Sequence, residues 1–365
     1  MKKIPRKKLE IFYNVDSFEI KTVKDLHEKC KSIKWSRYFS EKQTFKVLAH
    51  FSNQKEIERK SPFKNSLYAA QVVKDGIADS FRDDGLGRPN VELEFPQIQV
   101  SLHLTLGAQG TLKASLSFDL CLDPLSNRNH RTKYALAPMR ENLAASLVME
   151  MFPLEKKEEW KNQTVIDSMS GGGNFILEFL MMKYDVPPSW PKLKALIEQK
   201  RNQFALFNVT TFRTKENLAV WKKITEDLYG QTRKNLPRTL DENVRAYDLD
   251  MRAIKSIRES LEGFFGATII RVERADATKI KKMHEEETGV IFCNPPYGVR
   301  LGDEEELEKL YEEYGENLKN NFKNFTAYIF TQHAQLRKKI SLRTSSRKAF
   351  YNGPLECRLL EYRLF

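Results

Sequence analysis

Ile98-Gln-Val-Ser-Leu-His-Leu-Thr-Leu106 alternates apolar and polar side chains, the period of a strand with one buried face. Gly107-Ala-Gln-Gly110 marks a turn, and residues 111–122 alternate again, so a hairpin is expected. Upstream, Leu67, Ala70, Val73 and Ile77 recur at three- and four-residue steps and predict an amphipathic helix over residues 64–81. Residues 11–13 and 45–51 read as strands, with helical spacing over 23–33 between them. This first third therefore reads as an α+β module.

The pattern then changes. Residues 141–151 have one apolar helical face, formed by Leu143, Leu147, Val148 and Met151. Short apolar runs follow, starting at Thr164, Val244, Ile269, Val290 and Asn324, with helical or polar stretches between them. Strands buried on both faces of a parallel sheet look like this, and their alternation with helices predicts a Rossmann-like α/β domain over residues 131–365. Residues 185–240 are long, polar and basic, and read as an insertion on that core. Near the end, Asn352-Gly353 between strand-like runs predicts a hairpin and a reversed last strand.

Charge narrows the class of partner. The 365 residues include 61 Lys or Arg and 49 Asp or Glu, a formal net charge of +12. That excess favours a polyanion, nucleic acid before a membrane surface. Arg128, His130, Arg131, Lys133 and Arg140 form a basic linker, suited to collective phosphate contact or simply to solvation. Cys30, Cys121, Cys293 and Cys357 are scattered and the histidines lack ligand spacing, so neither a metal site nor a disulfide framework is expected. No run approaches the ~18 apolar residues of a membrane span, and the basic residues 1–8 lack the apolar segment of a signal peptide. A cytoplasmic protein is expected.

The sharpest chemical signal is Val290-Ile-Phe-Cys-Asn-Pro-Pro-Tyr-Gly298. An apolar strand stops at two prolines, which hold Asn294 and Pro295 extended at its carboxyl end. In open α/β sheets ligands bind at that edge. The Asn294 side-chain carbonyl and the Pro295 main-chain carbonyl are two acceptors able to take both hydrogens of an exocyclic amine. Tyr297 adds a flat ring suited to stacking on a base. A strand followed by a Pro-Pro turn and an aromatic lid is the plainer alternative.

Thr164-Val-Ile-Asp-Ser-Met-Ser-Gly-Gly-Gly-Asn174 reads as strand, glycine loop and helix start, a place where backbone can approach a ligand or simply turn. The strand after Val244 ends in Asp248 and Asp250; a carboxylate there can accept ribose hydroxyls or cap the next helix, the latter suiting Asp250. Asp276, after the next strand, suits an adenine amine. Asp167, Asp248, Asp276 and Asn294 thus close four strands of one αβ alternation.

Asn294-Pro-Pro-Tyr-Gly-Val-Arg-Leu301 resembles the motif of THUMP-containing guanine-N2 RNA methyltransferases, nearest to their bacterial large-subunit rRNA branch. Tyr68-Ala-Ala-Gln-Val-Val-Lys-Asp-Gly-Ile-Ala-Asp-Ser-Phe81, Arg88-Pro-Asn-Val91, Ala137-Pro-Met-Arg-Glu-Asn-Leu-Ala-Ala145 and Asn352-Gly-Pro-Leu-Glu-Cys357 agree, so the likeness runs from about Trp35 onward. It implies a shortened ferredoxin-like region over 1–50, a THUMP RNA-binding domain over 51–130 and a class I methyltransferase domain over 131–365. The implied reaction moves a methyl group from S-adenosylmethionine to the N2 amine of a guanine in 23S rRNA, protein-free or in an early assembly intermediate. No metal is implied.

By the same resemblance, Asn294, Pro295, Pro296 and Tyr297 are catalytic. The cofactor would be held by Asp167, Ser168, Met169, Ser170, Gly171, Gly173, Asp248, Leu249, Asp276, Ala277 and Asn294. Asp167, Gly171, Gly173 and Glu178 match the family's cofactor loop, whereas Ser168, Ser170, Gly172 and Asn174 replace Pro, Cys, Ser and Thr. Asn174 keeps a polar group expected to cap the following helix or to reach the cofactor. The four-residue motif also serves adenine-N6 and glutamine-amide transfer. An adenine-N6 methyltransferase of DNA or RNA is therefore an alternative, as is an RNA-binding protein whose cofactor loop has decayed.

Overall fold

The computed structural model describes residues 11–107, 110–122, 128, 139–201, 204–296, 304–333, 335–353 and 355–365. The basic residues 1–8, most of the basic linker (His130, Arg131, Lys133) and Tyr297 lie outside them. The chain forms two compact units, one from Lys7–Leu125 and Ala195–Asp227, the other chiefly from Ser126–Lys194 and Leu228–Phe365.

In the N-terminal unit, β1 (Phe12–Ile20), β2 (Phe45–Phe51), β3 (Ile98–Leu106) and β4 (Leu112–Asp119) form one sheet in the order β1-β4-β3-β2. β2 and β3 run parallel and the other pairs antiparallel. Helix α1 (Val23–Ser32) opens on a capping box in which Thr22 and Asp25 satisfy each other's backbone N–H. The short α2 (Gln54–Lys60) follows β2, and α3 (Ser66–Asp83) is capped by Asn65. Alternate residues of β3 (Val100, Leu102, Leu104) join Trp35, Phe39, Phe45, Phe81 and Phe118 in a single core. The described residues of 1–50 and 51–130 therefore share one sheet and one core, where two separate regions were expected. Leu67, expected on the buried face of α3, is 80% exposed; the face that packs carries Ala69, Val72, Val73, Ile77 and Phe81.

The second unit begins with α4 (Glu141–Met151), α5 (Lys157–Trp160), β5 (Thr164–Asp167) and α6 (Asn174–Lys183). Helices α7 (Trp190–Glu198) and α8 (Lys215–Asn235) precede β6 (Asp241–Asp248). Then come α9 (Met251–Phe265), β7 (Ile270–Arg274), β8 (Gly289–Cys293), α10 (Glu304–Asn321), β9 (Phe325–Thr331), β10 (Ser346–Asn352) and β11 (Leu355–Arg363). The seven strands form one sheet in the order β10-β11-β9-β8-β5-β6-β7. The five central and β7-side strands are parallel, and β11 is reversed against both neighbours. Successive residues of β8 face opposite layers. Ile291 and Cys293 join the cluster of Tyr311, Tyr314 and Leu318 from α10, whereas Phe292 stacks on Phe175 of α6 at 3.8 Å between centroids. Burial on both sides explains why this strand reads as an unbroken apolar run.

The polar stretch before β6 departs from expectation. Its residues 195–227 belong to the N-terminal unit and are not an insertion on the α/β core. Val209 is buried in the N-terminal core, Phe212 meets Tyr13 edge-on, Gln43 donates to the Asn208 carbonyl, and Asn208 donates to that of Gln97.

Candidate functional site

The chain winds from β5 outward to β6 and β7, then returns on the other side of β5 as β8. That reversal opens a crevice at the carboxyl ends of β5, β6 and β8, where side chains from different strands converge. Register places the expected residues along it. Asp167 pairs with Ala246 of β6 and Phe292 of β8. Asp248 and Asn294 each lie two residues beyond those partners, so they stand level with each other on either side of β5, ~7 Å further out.

Asp167 is 1% exposed, and neither of its carboxylate oxygens has a hydrogen-bond partner in the described structure. Burial pushes its carboxyl well above the ordinary value, and the nearby Asp248 carboxylate adds to this; Ser170 and the Met169 N–H pull the other way. The Ser170 hydroxyl in fact donates to the Asp167 main-chain carbonyl at 2.9 Å. A buried carboxylate without a donor is costly, so this position is suited to a cation or an N–H donor.

The glycine loop is stapled to the neighbouring strand. Gly171 N–H donates to Asp248 Oδ2 at 2.8 Å, Ser170 N–H to the Tyr247 carbonyl at 2.9 Å, and Asp250 N–H to Asp248 Oδ1 at 2.9 Å. Asp248 is half-buried and keeps lone pairs on both oxygens. Asp250 caps α9 through the Arg252 N–H, which separates the two carboxylates by role. Leu249 between them is 62% exposed, an apolar surface beside Asp248.

Gly173 is the N-cap of α6 at φ +77°, and a Cβ there would lie 2.9 Å from Cγ1 of Ile257 on α9. Both the left-handed backbone and the close helix approach require glycine. Gly173→Ala is therefore expected to lower stability by about 1–3 kcal/mol and to weaken ligand binding at the loop. Chemical denaturation checks the first effect and calorimetry the second; a variant indistinguishable from wild type would show that the loop tolerates another path.

Three expectations are corrected. Ser168 does not present its hydroxyl to the crevice: it is buried, donating to the Phe292 carbonyl at 2.9 Å and paired with the Tyr314 hydroxyl at 2.8 Å. Asn174 is not a cap. It stands inside α6, 5% exposed, and its amide donates to the Met139 carbonyl at 2.5 Å. Arg128 is not a free phosphate contact either, because its Nε donates to Glu178 at 2.8 Å with both side chains largely buried. Burial raises the Glu178 carboxyl and Arg128 draws it part of the way back.

Asp276 sits two residues past the end of β7, not at it. Its Oδ1 accepts the Thr278 N–H and hydroxyl, and its Oδ2 faces Lys279 at 3.1 Å. Burial raises its carboxyl, but these donors outweigh that and leave it below the ordinary range. Met169 is half-buried against the α10 cluster and Ala277 is buried, its carbonyl accepting from Asn317. Asn294 follows β8 directly and is half-buried, Pro295 is buried and Pro296 exposed. Sequence could not have shown the Ser168–Tyr314 pair, since its members are 146 residues apart. Among the described residues no cluster of His, Cys, Asp and Glu could hold a metal ion, and no helix is long and apolar enough to cross a membrane.

Comparison with known proteins agrees with this architecture. Residues 21–108 match the THUMP domain and residues 128–361 the RMKL-like methyltransferase domain. A protein named ribosomal RNA large subunit methyltransferase K/L from Aliivibrio fischeri is 30% identical over 344 residues, covering 94% of this chain and 44% of that protein. Its namesake from Methylococcus capsulatus is 30% identical over 355 residues, covering 96% and 43%. The chain thus spans less than half the length of these relatives. Among solved structures, a "possible methylase" from Clostridium difficile 630 superimposes with a TM-score of 0.71 at 24% identity, covering 98% of this chain and 84% of that one. A predicted N6-adenine-specific DNA methylase from Listeria monocytogenes gives 0.72 at 21%, covering 98% and 82%. These two share the fold of this chain, in which an N-terminal THUMP domain is followed by a class I methyltransferase domain.

Proposed function

The chain belongs to the RMKL-like family of methyltransferases, and on that premise we propose that it transfers a methyl group from S-adenosylmethionine to the exocyclic N2 amine of a guanine in large-subunit ribosomal RNA. The observation that carries the reading is the fully buried, unpartnered carboxylate of Asp167, flanked by Asp248 and Asn294 at one level of the sheet edge. An ammonium is what such a carboxylate lacks, and the cofactor's amino acid end has one. The residues present therefore fit the cofactor. Asp167 would hold the amino end, Gly171 and Gly173 would let the loop backbone approach it, Asp248 would accept the ribose hydroxyls, and Leu249 would cover the adenine. Asp276 has one oxygen with capacity left for the adenine amine.

When bound, the cofactor supplies a methyl carbon that is already electrophilic. The chain's part is then mainly positioning. Asn294 and Pro295 would each accept one hydrogen of the target amine, fixing the nitrogen lone pair toward the methyl group, and Tyr297 would stack on the base. A base in a duplex must first be extruded, which is easiest in unpaired or not yet assembled RNA. Protein-free RNA or an early assembly intermediate is accordingly the substrate we propose, met in the cytoplasm. The names of the relatives and the THUMP match support ribosomal RNA as the polymer.

The test is methylation of protein-free large-subunit rRNA by the purified chain, with nucleosides from the product separated by mass spectrometry. N2-methylguanosine is the expected product. N6-methyladenosine in its place would transfer the reading to an adenine methyltransferase, and no cofactor binding at millimolar concentration would leave an RNA-binding protein.

A further inference from the structure

The hairpin of β10 and β11 reaches past the catalytic edge. Cys293 of β8 pairs with Ile329 of β9, which brings Pro295 to the level of Thr331. Thr331 pairs with Arg358 of β11, and Arg358 with Ala349 of β10. Beyond that level β10 continues for three residues to Asn352, and β11 starts three residues earlier, at Leu355, paired with Asn352. The two strands therefore overhang the Asn294-Pro295 edge by ~10 Å.

The overhang exposes apolar groups that the core does not need. Tyr351 is 58% exposed and Leu355 45% exposed, on opposite faces of the hairpin, whereas the adjacent Phe350 turns inward to meet Phe330 edge-on. Arg347, Ala349, Glu356 and Arg358 share the Tyr351 face by register; Glu356 lies directly opposite Tyr351 and is paired with Arg358 at 2.5 Å. A flat exposed ring on the outermost strand of the sheet, with Arg347 on the same face, offers a surface for a stacking partner.

From this register we infer that the hairpin tip forms part of the RNA-binding surface, with Tyr351 stacking on a base next to the target nucleotide. The inference rests on the methyltransferase reading above. The target amine can be delivered only at the Asn294-Pro295 edge, so the strand that carries it must pass the overhanging hairpin. Extruding one base strips its neighbours of a stacking partner. A tyrosine ring replaces that partner without regard to sequence, and Arg347 on the same face adds attraction for the backbone. Tyr351 is thus a positioning residue for the substrate, not a catalytic one.

The test compares the full chain with Tyr351→Ala and Tyr351→Phe, using protein-free large-subunit rRNA for turnover. A short single-stranded RNA carrying 2-aminopurine, whose fluorescence is quenched on stacking, gives a second readout. Tyr351→Ala should raise the KM for RNA about ten-fold, the scale of one lost base–aromatic stack, and lose the quenching. Its cofactor affinity should stay unchanged, which also shows that it folds, and Tyr351→Phe should retain both properties. An RNA KM unchanged in Tyr351→Ala overturns the inference. If the wild type methylates no ribosomal RNA, the methyltransferase reading fails separately and quenching decides. Quenching by the wild type that Tyr351→Ala loses then supports the hairpin surface; absent or unaffected quenching overturns it.

Discussion

Asn294→Ala is expected to abolish methyl transfer, lowering turnover at least about hundred-fold while cofactor affinity stays within a few-fold of wild type. The size of the effect follows from what positioning does in this chemistry. The cofactor's methyl carbon needs no further activation, so the barrier depends on holding an amine nitrogen in line with it. Asn294 sits at the end of β8, level with Asp248 across β5, and Pro295 behind it is buried, which fixes the turn. Removing the side-chain carbonyl leaves one of the two amine hydrogens without its acceptor, and the amine then rotates out of line. The Asp167 end of the crevice is untouched, so calorimetry should report nearly normal cofactor binding. Turnover near wild type would make the Asn-Pro-Pro turn a purely structural feature.

The crevice was legible in sequence because β5 and β8 are short and largely apolar and each of its strands is punctuated at its end. Two prolines end β8, three glycines end β5, and a carboxylate ends β6, so local chemistry alone located the edge. The hairpin was legible for the same reason, although Asn352 pairs with Leu355 and its loop begins one residue later than expected. Edge strands gave less. β1 carries Asn14, Asp16, Ser17 and Glu19 among its apolar residues, and its register shifts between Asn14 and Asp16. A bulge on an outer strand breaks the alternation, and the strand read over residues 11–13 overlaps only the first two residues of β1. Helix α2 was missed because it buries little besides Ile57, which leaves no apolar period to detect.

Polar partners set by the fold were out of reach. Asn174 has the local chemistry of a cap, yet the Met139 carbonyl, 35 residues upstream, takes its amide. Threonine at this position would lack that amide donor and so that bond. Arg128 likewise read as a solvated linker cation until Glu178 was found opposite it. Residues 195–227 misled by composition: a polar stretch whose few aromatic and apolar groups, Val209 and Phe212 among them, pack on a distant part of the chain.

Asp167→Asn is expected to weaken cofactor binding roughly ten-fold or more at neutral pH, since hydrogen bonds to charged groups contribute ~1.5–3 kcal/mol. The same change should help the cofactor-free protein, and pH separates the two effects. Burial, with Asp248 next, holds the Asp167 carboxyl above its ordinary 3.8 in the folded chain. A raised carboxyl binds its proton more tightly folded than unfolded, so its contribution to stability is complete below the ordinary value and is lost as pH rises through the raised one. The neutral amide has no such loss. Unfolding measured without cofactor should therefore show Asp167→Asn gaining on wild type as pH rises through that window. With cofactor the sign reverses, because an ammonium at Asp167 favours the ionised carboxylate. Wild-type stabilisation by cofactor should grow with rising pH across the window, whereas that of the variant should stay small and flat. Equal cofactor affinity in the two proteins at every pH would show that Asp167 faces no cation, and its buried carboxylate would then need a different explanation.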